Sequence, residues 1–191
     1  MQDGHISGPD GVSLGDHTIP VDPESVARAL GEAIRRHHAG TETGQVNAMA
    51  SMASTLEKQA SAQPDAVMAT GPYLGRPVLE LARLVAETVS VLPPALRPSV
   101  PIRAGLTLAD CVLSRDGRIV IDGLRADGDR EIELAAAAVA LGGRHGPAVV
   151  APLLDAYGMD QFDLRRLDTA QLLVSVAAQL GVDLGAVAGC G

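Results

Sequence analysis

One stretch restricts the possible folds more than any other. Between Val100 and Ala135, two short apolar runs, Cys111-Val112-Leu113 and Ile119-Val120-Ile121, are separated by Ser114-Arg115-Asp116-Gly117-Arg118. Asp-Gly between such runs predicts a tight β-hairpin, because glycine takes the positive φ of the turn without steric cost. Acids crowd the segment behind the second run: Asp122, Asp127, Asp129, Glu131 and Glu133. A carboxylate at the end of a buried strand is held at a fixed depth, which suits a hard cation such as magnesium. The same acids equally suit a solvated loop and the first turn of a following helix, where negative charge complements the helix dipole. Both readings stand on the residues alone.

The hairpin is set in a chain whose other apolar spacing is helical. Asp22-Pro23-Glu24 supplies an N-cap acceptor, a proline harmless in a first turn and a dipole-facing acid, so a helix is predicted from there to about His38. Its inward stripe is Val26, Leu30, Ala33, Ile34 and His37, and Gly40 stops it. A second helix carries Val46, Met49, Met52, Ala53 and Leu56 up to Gln63-Pro64, with the methionines as adaptable core filler. Pro77 to Leu92 is a third, facing inward with Val78, Leu81, Leu84, Val85 and Val89. An extended segment leads to the hairpin.

After it, the nearly all-apolar Glu131–Leu141 predicts a helix buried on most sides and broken by Gly142-Gly143. Helices over Pro147–Tyr157 and Leu167–Leu180 follow, the latter with Asp163 as its cap. The class is therefore mainly α (α+β), about six helices with one inset β-hairpin. Glycine density marks 1–16 as a flexible N-terminal segment and 183–191 as a flexible tail, leaving 17–182 as a single domain.

Composition narrows the function. The 191 residues suffice for one core without staples, and the net charge of -8 argues against nucleic-acid and anionic-membrane surfaces. A basic small molecule or basic protein remains an electrostatic match. Neither a long apolar span nor a leader with a basic flank is evident, and the two cysteines, Cys111 and Cys190, lack metal or disulfide spacing. The expected compartment is the cytoplasm. With no Trp, one Phe and two Tyr, there is little surface for stacking bases or sugars. No Gly-x-Ser-x-Gly elbow supports a hydrolase triad. His37-His38 reads as capping at a helix end in preference to a metal pair, since adjacent helical residues diverge, and His145 reads as an exposed loop residue.

Several local sequences fall in a familiar order. Arg28 to His38 ends in His-His, Leu106 to Leu113 precedes Asp116-Gly117-Arg118-Ile119-Val120-Ile121-Asp122, and Gly128-Asp129 is followed by Glu133-Leu134-Ala135. Leu154-Asp155-Ala156-Tyr157-Gly158-Met159-Asp160 and Arg166-Leu167-Asp168 come last. From about Gly11 to Leu180 the chain resembles the C-terminal lobe of the aminoglycoside phosphotransferase and choline kinase family, which has a protein-kinase-like fold. The resemblance implies a kinase-like large lobe, with Asp122 in the place of the principal magnesium ligand and Asp110 in that of a second, usually Asn.

The departures lie where that family does its chemistry. Its catalytic loop reads His-Gly-Asp, four residues, then Asn; here the run is Arg103-Ala104-Gly105, four residues, then Asp110. Gly105 occupies the position of the catalytic Asp and cannot accept a proton, so no catalytic residue is assigned. Gly123-Leu124 follows Asp122 where an aromatic is usual. The chain also begins about where that family's hinge would end, and its single lysine, Lys58, does not correspond to the nucleotide-binding lysine.

Asp110 and Asp122 are thus candidate metal ligands, and Arg103 an alternative partner for them in an internal salt bridge. Arg103, Asp127, Asp129 and Glu133 are candidate ligand or partner contacts, the acids forming one acidic face with Asp122. The favoured expectation is a non-catalytic, pseudokinase-like binding module without cofactors. Its partner is a protein, a second copy covering the face that the small lobe would cover, or a small cationic ligand. The alternative is an ATP- and magnesium-dependent phosphotransferase acting on a hydroxyl of a small amino-containing substrate, its N-lobe absent or supplied in trans.

Overall fold

The computed structural model describes residues 11–16, 22–42, 47–93, 95, 97–123 and 126–188. Over these residues it is a helical body with two small sheets. Strand β1 (Gly11–Ser13) comes first, then helices α1 (Pro23–His38), α2 (Ala48–Ser61) and α3 (Val78–Val91). Strands β2 (Val100–Ile102), β3 (Cys111–Ser114), β4 (Ile119–Ile121) and β5 (Ala126–Gly128) follow. Helices α4 (Arg130–His145), α5 (Val150–Tyr157), α6 (Leu164–Leu180) and α7 (Leu184–Ala188) complete the chain.

The helix starts are chemically explicit. Asp22 accepts from Ser25 N at α1, Asn47 from Ala50 N at α2, and Asp163 from Arg165 N and Arg166 N at α6. Each satisfies donors that a helix leaves unpaired in its first turn. Val46, placed on the stripe of the second helix by its spacing, lies outside the described residues.

The hairpin forms as its turn chemistry requires, with Gly117 at φ 79° and Val112 opposite Val120. It belongs to a larger sheet. β1 adds to the free edge of β3 in antiparallel register, Val12 opposite Leu113, giving the order β1-β3-β4. Residues 11–16, expected as loop, are therefore partly strand, and Leu14 is buried. A second pair joins β2 to β5, with Ile102 opposite Ala126. The segment behind the hairpin is consequently not all loop, and Gly128 is bare where a Cβ would lie 2.6 Å from Ile102 Cδ1.

α4 runs through the middle of the core, with Ile132, Leu134, Ala135, Ala137 and Leu141 fully enclosed. It does not break at Gly142-Gly143. It continues to His145 and ends at Gly146, whose φ is 89°, and Arg144 in this last turn donates to the carbonyls of Leu14 and Asp16. That tie to the β1 segment offsets the weak helix preference of two glycines. His145 is accordingly a half-buried helical residue and not an exposed loop one. α1 packs on α5 so closely that a side chain at Gly31 would meet Leu153 O. Met49 and Met52 are fully buried in the core, as filler, whereas Leu84, expected to face inward, is 45% exposed on α3. None of the helices among the described residues is long and apolar enough to cross a membrane.

Candidate functional site

The loop between β2 and β3 carries Arg103, Gly105 and Asp110. Leu106 N donates to Arg103 O (3.0 Å), closing a turn with Gly105 inside it. A single 3-10 turn, Leu108–Asp110, then leads into β3. Asp122 follows β4, and its backbone N donates to Asp110 O at 2.9 Å. The hairpin therefore brings together the residues that sequence placed as metal ligands.

Their side chains are otherwise engaged. Asp110 Oδ1 accepts from Arg103 Nη2 (2.8 Å), and Asp110 Oδ2 accepts from both Thr107 N and Thr107 Oγ1 (2.8 Å each). Burial pushes the Asp110 carboxyl up, but the hydrogen bonds from Arg103 and Thr107 outweigh it and hold the carboxyl below its ordinary range. Asp122 is exposed, and its Oδ1 accepts from the next backbone N, of Gly123, at 2.7 Å. The Arg103 guanidinium lies where a Cβ at Gly123 would stand. Two departures from the family pattern, arginine for histidine and glycine for an aromatic, are thus one packing arrangement.

Of the two candidate metal ligands, Asp122 is exposed and Asp110 is engaged by a guanidinium. A cation would have to displace a guanidinium from Asp110, and among the described residues no three His, Cys, Asp or Glu side chains gather as a metal site. Lys58 is exposed on α2.

The acidic stretch divides in two and does not form one face. Asp127 is exposed on β5 and Asp122 at the end of β4, but Asp129 is 3% and Glu133 0% exposed. Asp129 Oδ1 takes Arg166 Nη2 of α6 at 2.5 Å, and its Oδ2 takes Met49 N, in the first turn of α2, at 3.0 Å. Arg166 Nη1 also donates to Pro93 O (3.1 Å). Glu131 accepts from Asp163 N at 3.2 Å, and burial, the largest influence, raises its carboxyl. Glu133 Oε2 meets His38 Nε2 at 2.7 Å, and His38 Nδ1 meets Tyr157 Oη at 2.9 Å. His38 is therefore a buried core histidine bridging α1, α4 and α5, not an exposed cap, and it lies further inside than His37. These acids tie helices together because a charge taken out of water must be met by another polar group.

Sequence reasoning missed Asp183. Its Oδ1 lies 3.2 Å from the point where a Cβ at Gly105 would stand, with Gly185 N 3.5 Å from that point. The signal was Asp183 before Leu184, an N-cap ahead of an apolar residue, muted by the Gly- and Ala-rich tail around it. Cys111 is a buried thiol pushed up to about 12 by burial first and by Asp110 and Glu133 next, so it is no nucleophile.

No protein-family model and no curated protein matches the chain. Solved structures do. The chain superposes on an aminoglycoside-3'-phosphotransferase of type VIII with a TM-score of 0.65, over 88% of this chain and 66% of that one, at 17% identity. The fold is aminoglycoside-phosphotransferase-like. A type I macrolide 2'-phosphotransferase (TM-score 0.56, 17% identity) is matched over 94% of this chain and 62% of that one. The spectinomycin phosphotransferase APH(9)-Ia in complex with AMP (TM-score 0.57, 12% identity) is matched over 91% and 61%. The chain thus spans slightly less than two thirds of the length of these phosphotransferases, and its helices and small sheets are those of a kinase-like large lobe. Within this phosphotransferase-like lobe, the loop of Arg103, Gly105 and Asp110 is the candidate site.

Proposed function

We propose that this phosphotransferase-like lobe is a non-catalytic binding module. One observation carries the reading: the Arg103 guanidinium is bonded to Asp110 and seated over Gly123, beside a position 105 that has no side chain. A proton acceptor and free metal-facing oxygens, one of them a carboxylate, are what phosphoryl transfer to a hydroxyl requires of such a loop. Here the Asp110 carboxylate is neutralised by Arg103 and the place of the acceptor is held by a glycine. The surface that this leaves for a partner is the face of the three-stranded sheet that carries Ser13, Val112 and Val120, where Val120 is 48% exposed. A protein partner or a second copy would cover it, and the exposed Asp122 and Asp127, with a net charge of -8, favour a basic contact or a small cationic ligand. The buried thiol of Cys111 suits a reducing, cytoplasmic setting.

Calorimetric titration tests the reading. Magnesium with ATP, then an aminoglycoside, is added to the purified chain, and no heat is expected from the nucleotide. Saturable heat from ATP with magnesium overturns the proposal in favour of a phosphotransferase whose small lobe comes from elsewhere. Sedimentation at micromolar concentration separates the two partner types: a dimer identifies the second copy, and a monomer leaves a different protein or the cationic ligand.

A further inference from the structure

The C-terminal end of the lobe closes over the loop that carries Gly105. α6 ends at Gly181, whose left-handed backbone (φ 67°) turns the chain back. Asp183 Oδ1 then accepts from Gly185 N (2.8 Å) and Ala186 N (3.4 Å) to start α7. The same oxygen faces the point where a side chain at position 105 would begin. α7 packs on α2 and β5. The short helix therefore sits in the corner between α2, β5 and the 103–107 loop, on the side of that loop toward which residue 105 is open.

Three apolar side chains hold it there. Leu184 is buried, Val182 and Val187 are partly so, and Asp183, Gly185 and Ala186 are exposed. A helix of five residues has no stability of its own and depends on its docking contacts. It is joined to α6 through a glycine, which allows the connection to turn without side-chain strain.

We infer that α7 is a self-docked cover: seated, it half-covers Gly105, and swinging about Gly181 it uncovers that loop and the faces of α2 and β5 beneath it. The inference rests on the proposed function only in taking this loop as the site. Its test reads accessibility with no nucleotide or ligand present, so either can fail without the other.

A thiol at the covered position reports the motion. In a Cys190→Ser background, Gly105→Cys is labelled with a thiol reagent in the full chain and in the same chain carrying Leu184→Ala. Labelling in the full chain is expected to be slowed by the seated helix over the half-covered position, and Leu184→Ala should accelerate it at least about threefold. Hydrogen exchange should rise in 103–110 and the facing part of α2, while α1 and α5 keep their protection. Equal labelling rates with helicity retained overturn the proposal. So does global unfolding of Leu184→Ala, which would make α7 part of the core and not a separable cover. Asp183→Ala, which removes only the start of α7, gives a second reading and should accelerate labelling in the same direction.

Discussion

The Arg103 guanidinium lies in the space that a side chain at position 123 would fill, and the backbone of Gly123 sits at φ 113°, where L-residues are strained. Gly123→Ala should therefore destabilise the lobe by at least about 1 kcal/mol, from backbone strain together with displacement of Arg103. Adding Arg103→Ala should lower the cost of Gly123→Ala, leaving only the backbone part. Urea midpoints across this double-mutant cycle measure the coupling, and strictly additive costs would show that the two residues do not share the space.

Asp110 predicts a pH dependence of definite sign. Burial raises its carboxyl, the bonds from Arg103 and Thr107 lower it further, and the net shift is downward. A folded-state pKa below the unfolded value, about 3.9, contributes stability that is present above that value and lost as pH falls through the folded one. Arg103→Ala should move the Asp110 carboxyl upward in a carbon-detected NMR titration. It should also shrink the acid-side loss of stability; an unmoved carboxyl would mean Thr107 alone holds it.

Gly105→Asp should destabilise the lobe. It would set a second carboxylate beside that of Asp183, whose Oδ1 is 3.2 Å from the Cβ position at 105. Like charges this close should cost about 1–2 kcal/mol at neutral pH, with relief as the solution is acidified. Asp183→Asn in the same chain should recover most of that loss. If Gly105→Asp is as stable with Asp183 as with Asn there, the juxtaposition is wrong.

Arg166 and Asp129 form a buried pair, 6% and 3% exposed, that anchors α6 to the start of α4 and to α2. Arg166→Met alone should cost about 3–5 kcal/mol, because Asp129 is left charged and enclosed. Combining it with Asp129→Leu should cost less than the single change. Thermal unfolding of the three variants checks the order.

Tyr157 is pushed up to about 12 by burial foremost. Absorbance titration of Tyr73→Phe, with Tyr157 as the remaining tyrosine, should show no phenolate until the pH approaches 12. The sign follows from a pKa raised on folding: stability is unaffected below the unfolded value, about 10, and falls as pH rises from there through the folded value. Ionisation near 10 without unfolding would place the phenol in water and break the His38 contact with it.

How far the sequence could be read depends on whether a feature is local. Asp22 and Asp163 cap helices through donors two or three residues away, so pattern alone locates α1 and α6. Asp116-Gly117 sets the hairpin by the same local logic. β1 and the β2–β5 pair escape such reading because they are three residues each and exist only through partners far along the chain. α4 passes through Gly142-Gly143 because Arg144 is held by carbonyls of residues 14 and 16, a contact that no window of sequence contains.

The site divides in the same way. Residue types alone determined that position 105 has no acceptor and that the fold is helical with an inset hairpin, while the family resemblance suggested Arg103 as a partner for Asp110. Only the tertiary structure decided which acids face water. Asp122 and Asp127 do, while Asp129 and Glu133 are drawn inward by Arg166 and His38, because a charge can be buried only where another element brings its counterpart. It also decided that Asp183, 78 positions from Gly105 by their numbers, lies against it. Local chemistry chooses elements one at a time, whereas packing chooses neighbours, and the character of this site depends on its neighbours.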